Sequence, residues 1–201
     1  QNPYYYFAYW IYGGFIKLSG IHLTIGYNLS LSTTFSLSLM TSWAISLSLL
    51  KRIDMPKYTL YLTSILSPLY LLFLTNFYIL IDLFVRIPLL GSILSSLVKI
   101  KGLGDPDHNF LFGSGWRSTR VIDNLVEGKS LDYTIQEYPS FSFILGDLHP
   151  HVLSIPFFLS VSYLIISLTS YINERGIKSR NIIFFAIGII IPIMGFINIW
   201  D

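Results

Sequence analysis

The chain is predicted to be an all-α integral membrane protein, a polytopic helical bundle with interfacial helices in its outer loops. Three observations predict this. Hydrophobic residues make up 53 % of its 201 positions, 12 % are charged, and the mean hydropathy is +0.61, values that do not fit a soluble domain of this size. Four windows without a charged residue, Asn28 to Leu50, Tyr58 to Ile81, Val152 to Ile172 and Asn181 to Ile199, reach the roughly 20 residues a bilayer core requires. The basic residues concentrate in the short loops between these windows.

The first element, residues 1–22, is apolar and densely aromatic but short for a crossing before Lys17 and Gly20. It is expected to lie in the interface, where Tyr and Trp favour the headgroup region. The span 28–50 follows, rich in Ser and Thr, residues that let helices approach closely; plain compositional bias is the competing reading. The loop Lys51 to Lys57 leads to the span 58–81, and the loop Asn173 to Arg180 joins the spans 152–172 and 181–199. Those two loops hold six of the thirteen basic residues, so the positive-inside rule puts both in the cytoplasm.

Residues 82–151 then form an outer-face segment with short helices. Within it Val85 to Ile100 is apolar but broken by Pro88 and Gly91, which suits an interfacial or re-entrant helix. Lys101 to Asn109 is rich in turn formers. The chain reads as one membrane domain, 1–201, multi-pass in the plasma membrane, with 82–151 extracytoplasmic. It opens on Gln1 and stops at Trp200-Asp201 after an apolar run, so it is expected to be a fragment of a longer protein. The absence of cysteine removes disulfide frameworks and thiolate zinc sites, and a dispersed net charge of +2 gives no reason to expect nucleic acid.

Chemistry concentrates in Glu137-Tyr-Pro-Ser-Phe-Ser-Phe-Ile-Leu-Gly-Asp-Leu-His-Pro-His151, which holds two of the four histidines. Pro150 disfavours helix at His149, and alternate residues of an extended segment point the same way, so Asp147, His149 and His151 are expected to converge. They suit a divalent metal, magnesium or manganese, or a general base with its orienting partners; capping of the following helix is the plainer alternative. Arg117 and Arg120, three apart beside Trp116, would share a helix face and could hold a phosphate. Glu137 is a candidate catalytic acid or base. Asn198, Trp200 and Asp201, at the outer end of the last span, are candidates for lining a substrate.

Four blocks carry a family resemblance: Tyr4-Tyr-Tyr-Phe7 with Lys17-Leu-Ser-Gly-Ile21 and Asn28-Leu29; Trp116-Arg-Ser-Thr-Arg-Val-Ile122; Ile135 to Phe143 running into Gly146-Asp-Leu-His-Pro-His151; and Asn198-Ile-Trp-Asp201. They resemble the uncharacterised archaeal and chloroflexal YYY membrane proteins, longer polytopic chains of which this would be an internal piece. Ala8 stands where that pattern has Gly, and Gln136 where Thr is usual. The family is similar to the GT-C glycosyltransferases, which take sugar from a polyprenyl-phosphate donor at the outer face of the membrane. In those enzymes an aromatic helix in the first outer loop precedes the next span, as Pro3 to Gly20 precedes Asn28 to Leu50 here, and the usual catalytic carboxylate lies earlier in that loop, before Gln1.

The resemblance implies a sugar transferase whose partners are the lipid bilayer and a polyprenyl-phosphate-linked sugar. Glu137, Asp147 and His149 would be catalytic; Tyr5, Tyr6, Trp116, Arg117, Arg120, His151, Asn198, Trp200 and Asp201 would bind substrate; and Asp147, His149 and His151 would hold any metal. Two alternatives compete, the second with the same residues. One is a transporter or lipid-handling protein without catalysis, which a charged residue in mid-span would favour, and the four windows contain none. The other is a metal-dependent hydrolase of lipid-linked substrates.

Overall fold

Helix forms almost wherever the charge-free windows predict it. The computed structural model describes residues 6–74, 76–97, 103, 110–120, 122–127, 129–174 and 177–197. In chain order the elements are α1 (Tyr6–Ser19), α2 (Leu23–Leu50), α3 (Lys57–Phe73), α4 (Tyr78–Val85), α5 (Pro88–Leu97), α6 (Phe110–Ser118), β1 (Ile122–Val126), β2 (Lys129–Thr134), α7 (Pro139–Leu145), α8 (Pro150–Glu174) and α9 (Ile177–Ile197). They make two units, one from Gln1–Leu72 with Ser142–Asp201, the other from Phe73–Phe141.

Among the described residues two helices are both long and apolar enough to cross a bilayer, Leu23–Leu50 and Pro150–Leu168. The apolar stretch Asn181–Ile197 of α9 and the 17 residues of α3 stand at the lower limit for a crossing. The expectation of one continuous span over 58–81 is corrected: the helix stops at Phe73 and a new one starts at Tyr78. Asn76 is the local reason, because its Oδ1 accepts the Tyr78 N–H at 2.8 Å, a side-chain bond that competes with the helical ladder.

In the first unit the packing of α2 is inverted relative to a soluble helix. Its buried positions are Gly26, Ser30, Thr34, Ser38 and Ser42, spaced by four and therefore on one face, while Leu29, Leu37 and Met40 are exposed. Hydrocarbon solvates Leu as well as a protein interior does, so helices in lipid associate through small residues that permit close approach. The hydroxyls are satisfied within the helix: Ser30 donates to Gly26 O, Thr34 to Ser30 O and Ser38 to Thr34 O, at 2.8 to 2.9 Å. Partners meet this face directly. Tyr12 Oη and Thr34 Oγ1 lie 2.7 Å apart, Ser42 and Ser67 hydroxyls 2.9 Å apart, and Trp43 Nε1 donates to Ser64 Oγ at 2.7 Å. A Cβ on Gly26 would stand 2.4 Å from Ile16 Cγ1, so only glycine admits α1 there.

Contacts at both ends fix direction. Near its start α2 meets the start of α8, through Tyr27 and Leu148; just past its end, Arg52 donates to Ile166 O at 3.3 Å. The two helices therefore run parallel, and α9 returns along α8 until Ile197 joins Ala8, Leu148 and Leu153 in a buried cluster. In consequence the starts of α2 and α8 and the end of α9 share one end of this unit.

In the second unit Asp82 of α4 is fully buried. Its Oδ2 accepts from Ser114 Oγ of α6 at 2.6 Å and from Arg86 Nε at 3.2 Å, with Arg86 Nη2 3.1 Å away. Charge is tolerated there because it is paired and hydrogen-bonded. The hairpin β1–β2 departs from the helices expected over 82–151. Its strands pair Ile122 with Thr134 through Val126 with Lys129, with a register shift at Asn124/Leu125, and Glu127 takes φ 53°, as the first position of a primed two-residue turn requires. Beyond it Gln136 N–H donates to Thr119 O at 2.8 Å, and the Ser118 and Tyr138 hydroxyls lie 2.5 Å apart.

Two stability outcomes follow from this packing. Ser38→Leu adds volume to a face that is fully covered and is expected to destabilise by about 1–3 kcal/mol, read from the unfolding midpoint in detergent micelles; an unchanged midpoint would remove the packing role of the small-residue face. Asp82→Ala leaves Arg86 without its carboxylate and is expected to destabilise by about 3–5 kcal/mol. The double change Asp82→Leu with Arg86→Met should recover most of that loss, and no recovery would count against the ion pair as the cause.

Candidate functional site

A stop, a bend and a start within six residues build the site. α7 ends at Leu145, and Gly146 adopts φ +71°, a left-handed conformation that glycine reaches without steric penalty. Gly146 N–H donates to Phe143 O at 3.2 Å and Asp147 N–H to Ser142 O at 2.9 Å, the paired bonds of a Schellman cap. Pro150 then opens α8 at the first helical position, where its missing N–H costs nothing, and His149 O accepts from Val152 and Leu153 N–H, each at 3.0 Å. Asp147, Leu148 and His149 are thereby left as a short non-helical bridge between two helices.

Two tyrosines hold that bridge by its backbone. Tyr9 of α1 donates to Leu148 O at 2.5 Å; Tyr27 of α2 donates to Gly146 O and accepts from Leu148 N–H, both at 3.1 Å. Leu148 is buried with Ala8, Leu153 and Ile197, and Phe143 meets Phe35 edge-on at 5.0 Å. Burial, then the charge of Asp147, then Tyr27 push the Tyr9 hydroxyl up to about 12, so it is a hydrogen-bond donor throughout the physiological range. Neither tyrosine stood out in the sequence, where Tyr9 belonged to the aromatic interfacial element; of the two tyrosines proposed there, Tyr6 is exposed.

The bridge brings two of the three proposed ligands together. His149 Nδ1 and His151 Nδ1 lie 3.1 Å apart, and His151 Nε2 is 3.2 Å from Ser142 Oγ. Both imidazoles are half-buried. The expectation that Asp147 joins them is corrected: its carboxylate is not among the ligand atoms gathered around the two rings, and its charge acts on Tyr9 instead. Alternation fails because the extended segment ends at Pro150 and His151 already belongs to α8.

Directly along α8 an apolar cavity of about 560 Å³ lies between α1, α2 and α8, lined by residues that include Tyr12, Phe15, Leu29, Thr33, Phe157 and Ser160. Pro156, also on its wall, is five residues past His151, about 8 Å along the helix axis. Phe15 and Leu29 on its rim are exposed, so the cavity opens to the surface that lipid would cover.

Glu137, Trp116, Arg117 and Arg120 belong to the second unit. Glu137 is exposed in the segment between β2 and α7. Trp116 and Arg117 lie on α6, but the helix ends at Ser118, which corrects the shared helix face expected for Arg117 and Arg120. Arg120 folds back over the Trp116 ring, 3.6 Å from its centroid, and its Nη1 donates to Thr119 Oγ1 at 2.8 Å. Tyr5, Asn198, Trp200 and Asp201 lie outside the described residues.

No curated protein and no solved structure matches the chain. Residues 2–201 match the family described as uncharacterized membrane protein (DUF2298), and with two helices able to cross a bilayer the chain belongs to that membrane-protein family.

Proposed function

We propose that the protein is a membrane glycosyltransferase of GT-C type, transferring sugar from a polyprenyl-phosphate donor to an acceptor at the outer face of the plasma membrane. The observation that carries this reading is the juxtaposition, in one unit, of polar groups at the mouth of α8 with the apolar cavity about 8 Å further along the same helix. A substrate with a long apolar tail and a charged sugar head has the same division. The cavity volume of about 560 Å³ falls in the range of small-molecule sites, and its lining of Phe, Leu and Ile suits isoprene units. The resemblance of the Tyr-Tyr-Tyr-Phe and Gly-Asp-Leu-His-Pro-His blocks to proteins similar to GT-C enzymes supports the same chemistry.

In this reading Asp147 and His149 take up the proton of the acceptor as it attacks the sugar carbon bearing the phosphate, and the lipid phosphate leaves. A positioned base is worth about 10²–10⁴ in rate. The family resemblance would assign the phosphate to Arg117 and Arg120 of the second unit, where Arg120 lies over the Trp116 ring. The sidedness rests on the basic loops Lys51 to Lys57 and Asn173 to Arg180. The parallel course of α2 and α8 agrees with it, because both helices run away from the histidine end and toward a basic loop. A hydrolase would use the same residues with water as acceptor. Transport finds less support, since the four charge-free windows carry no ionisable residue in mid-span.

Two outcomes test the reading in the full-length protein reconstituted with a labelled donor. His149→Ala is expected to lower transfer about 100-fold or more, while release of free sugar in place of transfer by the unmutated protein would identify a hydrolase instead. Ser160→Phe fills part of the cavity. Excluding two or three methylenes at about 0.8 kcal/mol each should raise KM for a long-chain donor about 30-fold and leave a short-chain donor little affected. Equal effects on both donors would remove the cavity from the substrate's path.

A further inference from the structure

We infer that His149 and His151 form a two-imidazole site for a transition-metal ion of the zinc class, distinct from the magnesium or manganese that a carboxylate-centred site would take. The two Nδ1 atoms are 3.1 Å apart. Placed about 2.1 Å from a shared ion, they subtend roughly 95° at it, within reach of octahedral or distorted tetrahedral geometry. Neutral imidazole suits zinc, cobalt, nickel and copper, whereas magnesium prefers oxygen and keeps its water. Asp147 is absent from the ligand atoms around the rings, so what this bridge itself offers an ion is the pair of imidazole nitrogens.

Three features make the pair a built site. Pro150 between the histidines fixes the backbone that carries both, and Tyr9 and Tyr27 hold the bridge by its carbonyls and one N–H. Ser142 Oγ sits 3.2 Å from His151 Nε2, the outer-nitrogen partner that orients a ligating imidazole and leaves Nδ1 for the metal. Finally, both rings are half-buried, which leaves an approach for the ion and for an oxygen of water or phosphate to complete its coordination. A proton shared between the rings would produce the same separation and is the occupant to be distinguished.

The inference concerns the same site as the proposed transfer reaction but does not depend on it, because binding is measured without lipid or sugar. Full-length protein in detergent, stripped with chelator, is titrated with Co²⁺. The expected result is a saturable visible absorption band at one equivalent, displaced by Zn²⁺ and left unaffected by excess Mg²⁺. His149→Ala and His151→Ala should each abolish the band, and His22→Ala, at an exposed residue bonded to Thr24, should retain it. Ser142→Ala should fold normally and weaken affinity about 10-fold or more, which separates loss of a ligand from loss of the fold. No saturable band, a band that survives both histidine changes, or displacement by Mg²⁺ would overturn the site and leave the shared proton. A bound metal without sugar transfer would keep this site and sink the transferase reading; full transfer by metal-stripped protein would leave that reading in place and deny the ion a role in it.

Discussion

The first unit depends on one constraint: in hydrocarbon, burying leucine brings helices no closer together. α2 responds by turning its leucines outward and burying Gly26, Ser30, Thr34, Ser38 and Ser42. Each of the middle hydroxyls returns its hydrogen bond to the carbonyl four residues back, so the face is at once small and polar-satisfied. That combination lets neighbouring backbones come close without stranding a donor in lipid. Tyr12, Ser64 and Ser67 then bond to the same face, or to Trp43 beside it.

The site is a consequence of that approach. Because α1 lies against α2 where only Gly26 leaves room, Tyr9 and Tyr27 come from two helices to the same three-residue bridge. Their hydroxyls take up Gly146 O, Leu148 O and Leu148 N–H, the backbone groups that a bridge between two helices leaves unpaired. A segment whose backbone would otherwise turn to water is thus paired and fixed, and the imidazoles attached to it inherit its position. The raised Tyr9 hydroxyl, about 12, reflects the same burial and keeps the donor protonated.

The fold was legible where the bilayer dictates composition. Absence of charge over some twenty residues located α2, α8 and α9, and the small-residue content of α2 pointed to packing before any face could be assigned. Signals that depend on one side chain were not legible. The interruption at Asn76 comes from an Asx bond that looks in sequence like any polar residue in an apolar run, and the β1–β2 hairpin is two short strands about a Glu-Gly pair among scattered charges. At the site, His149 and His151 were legible from their spacing around Pro150. Asp147 was over-read, since alternation holds only while the chain stays extended. Tyr9 and Tyr27 bond to backbone from positions over a hundred residues away in sequence, which no local pattern encodes. Ala8, where the resembled pattern has Gly, is buried among Leu148, Leu153 and Ile197.

The direction of the helices connects these parts. α2 and α8 run parallel from the histidine end toward basic loops, so the unit is polar at both ends for different reasons. At one end lie the basic loops, in which the positive-inside rule reads orientation. At the other is a small set of imidazole, carboxylate and phenol groups whose positions are fixed by backbone bonds, with an apolar cavity beginning about 8 Å away along α8. Orientation needs only charge, whereas recognition of an amphiphile needs a fixed head site and a tail groove in register on one rigid element. Among the described residues of this unit, the histidine end has both.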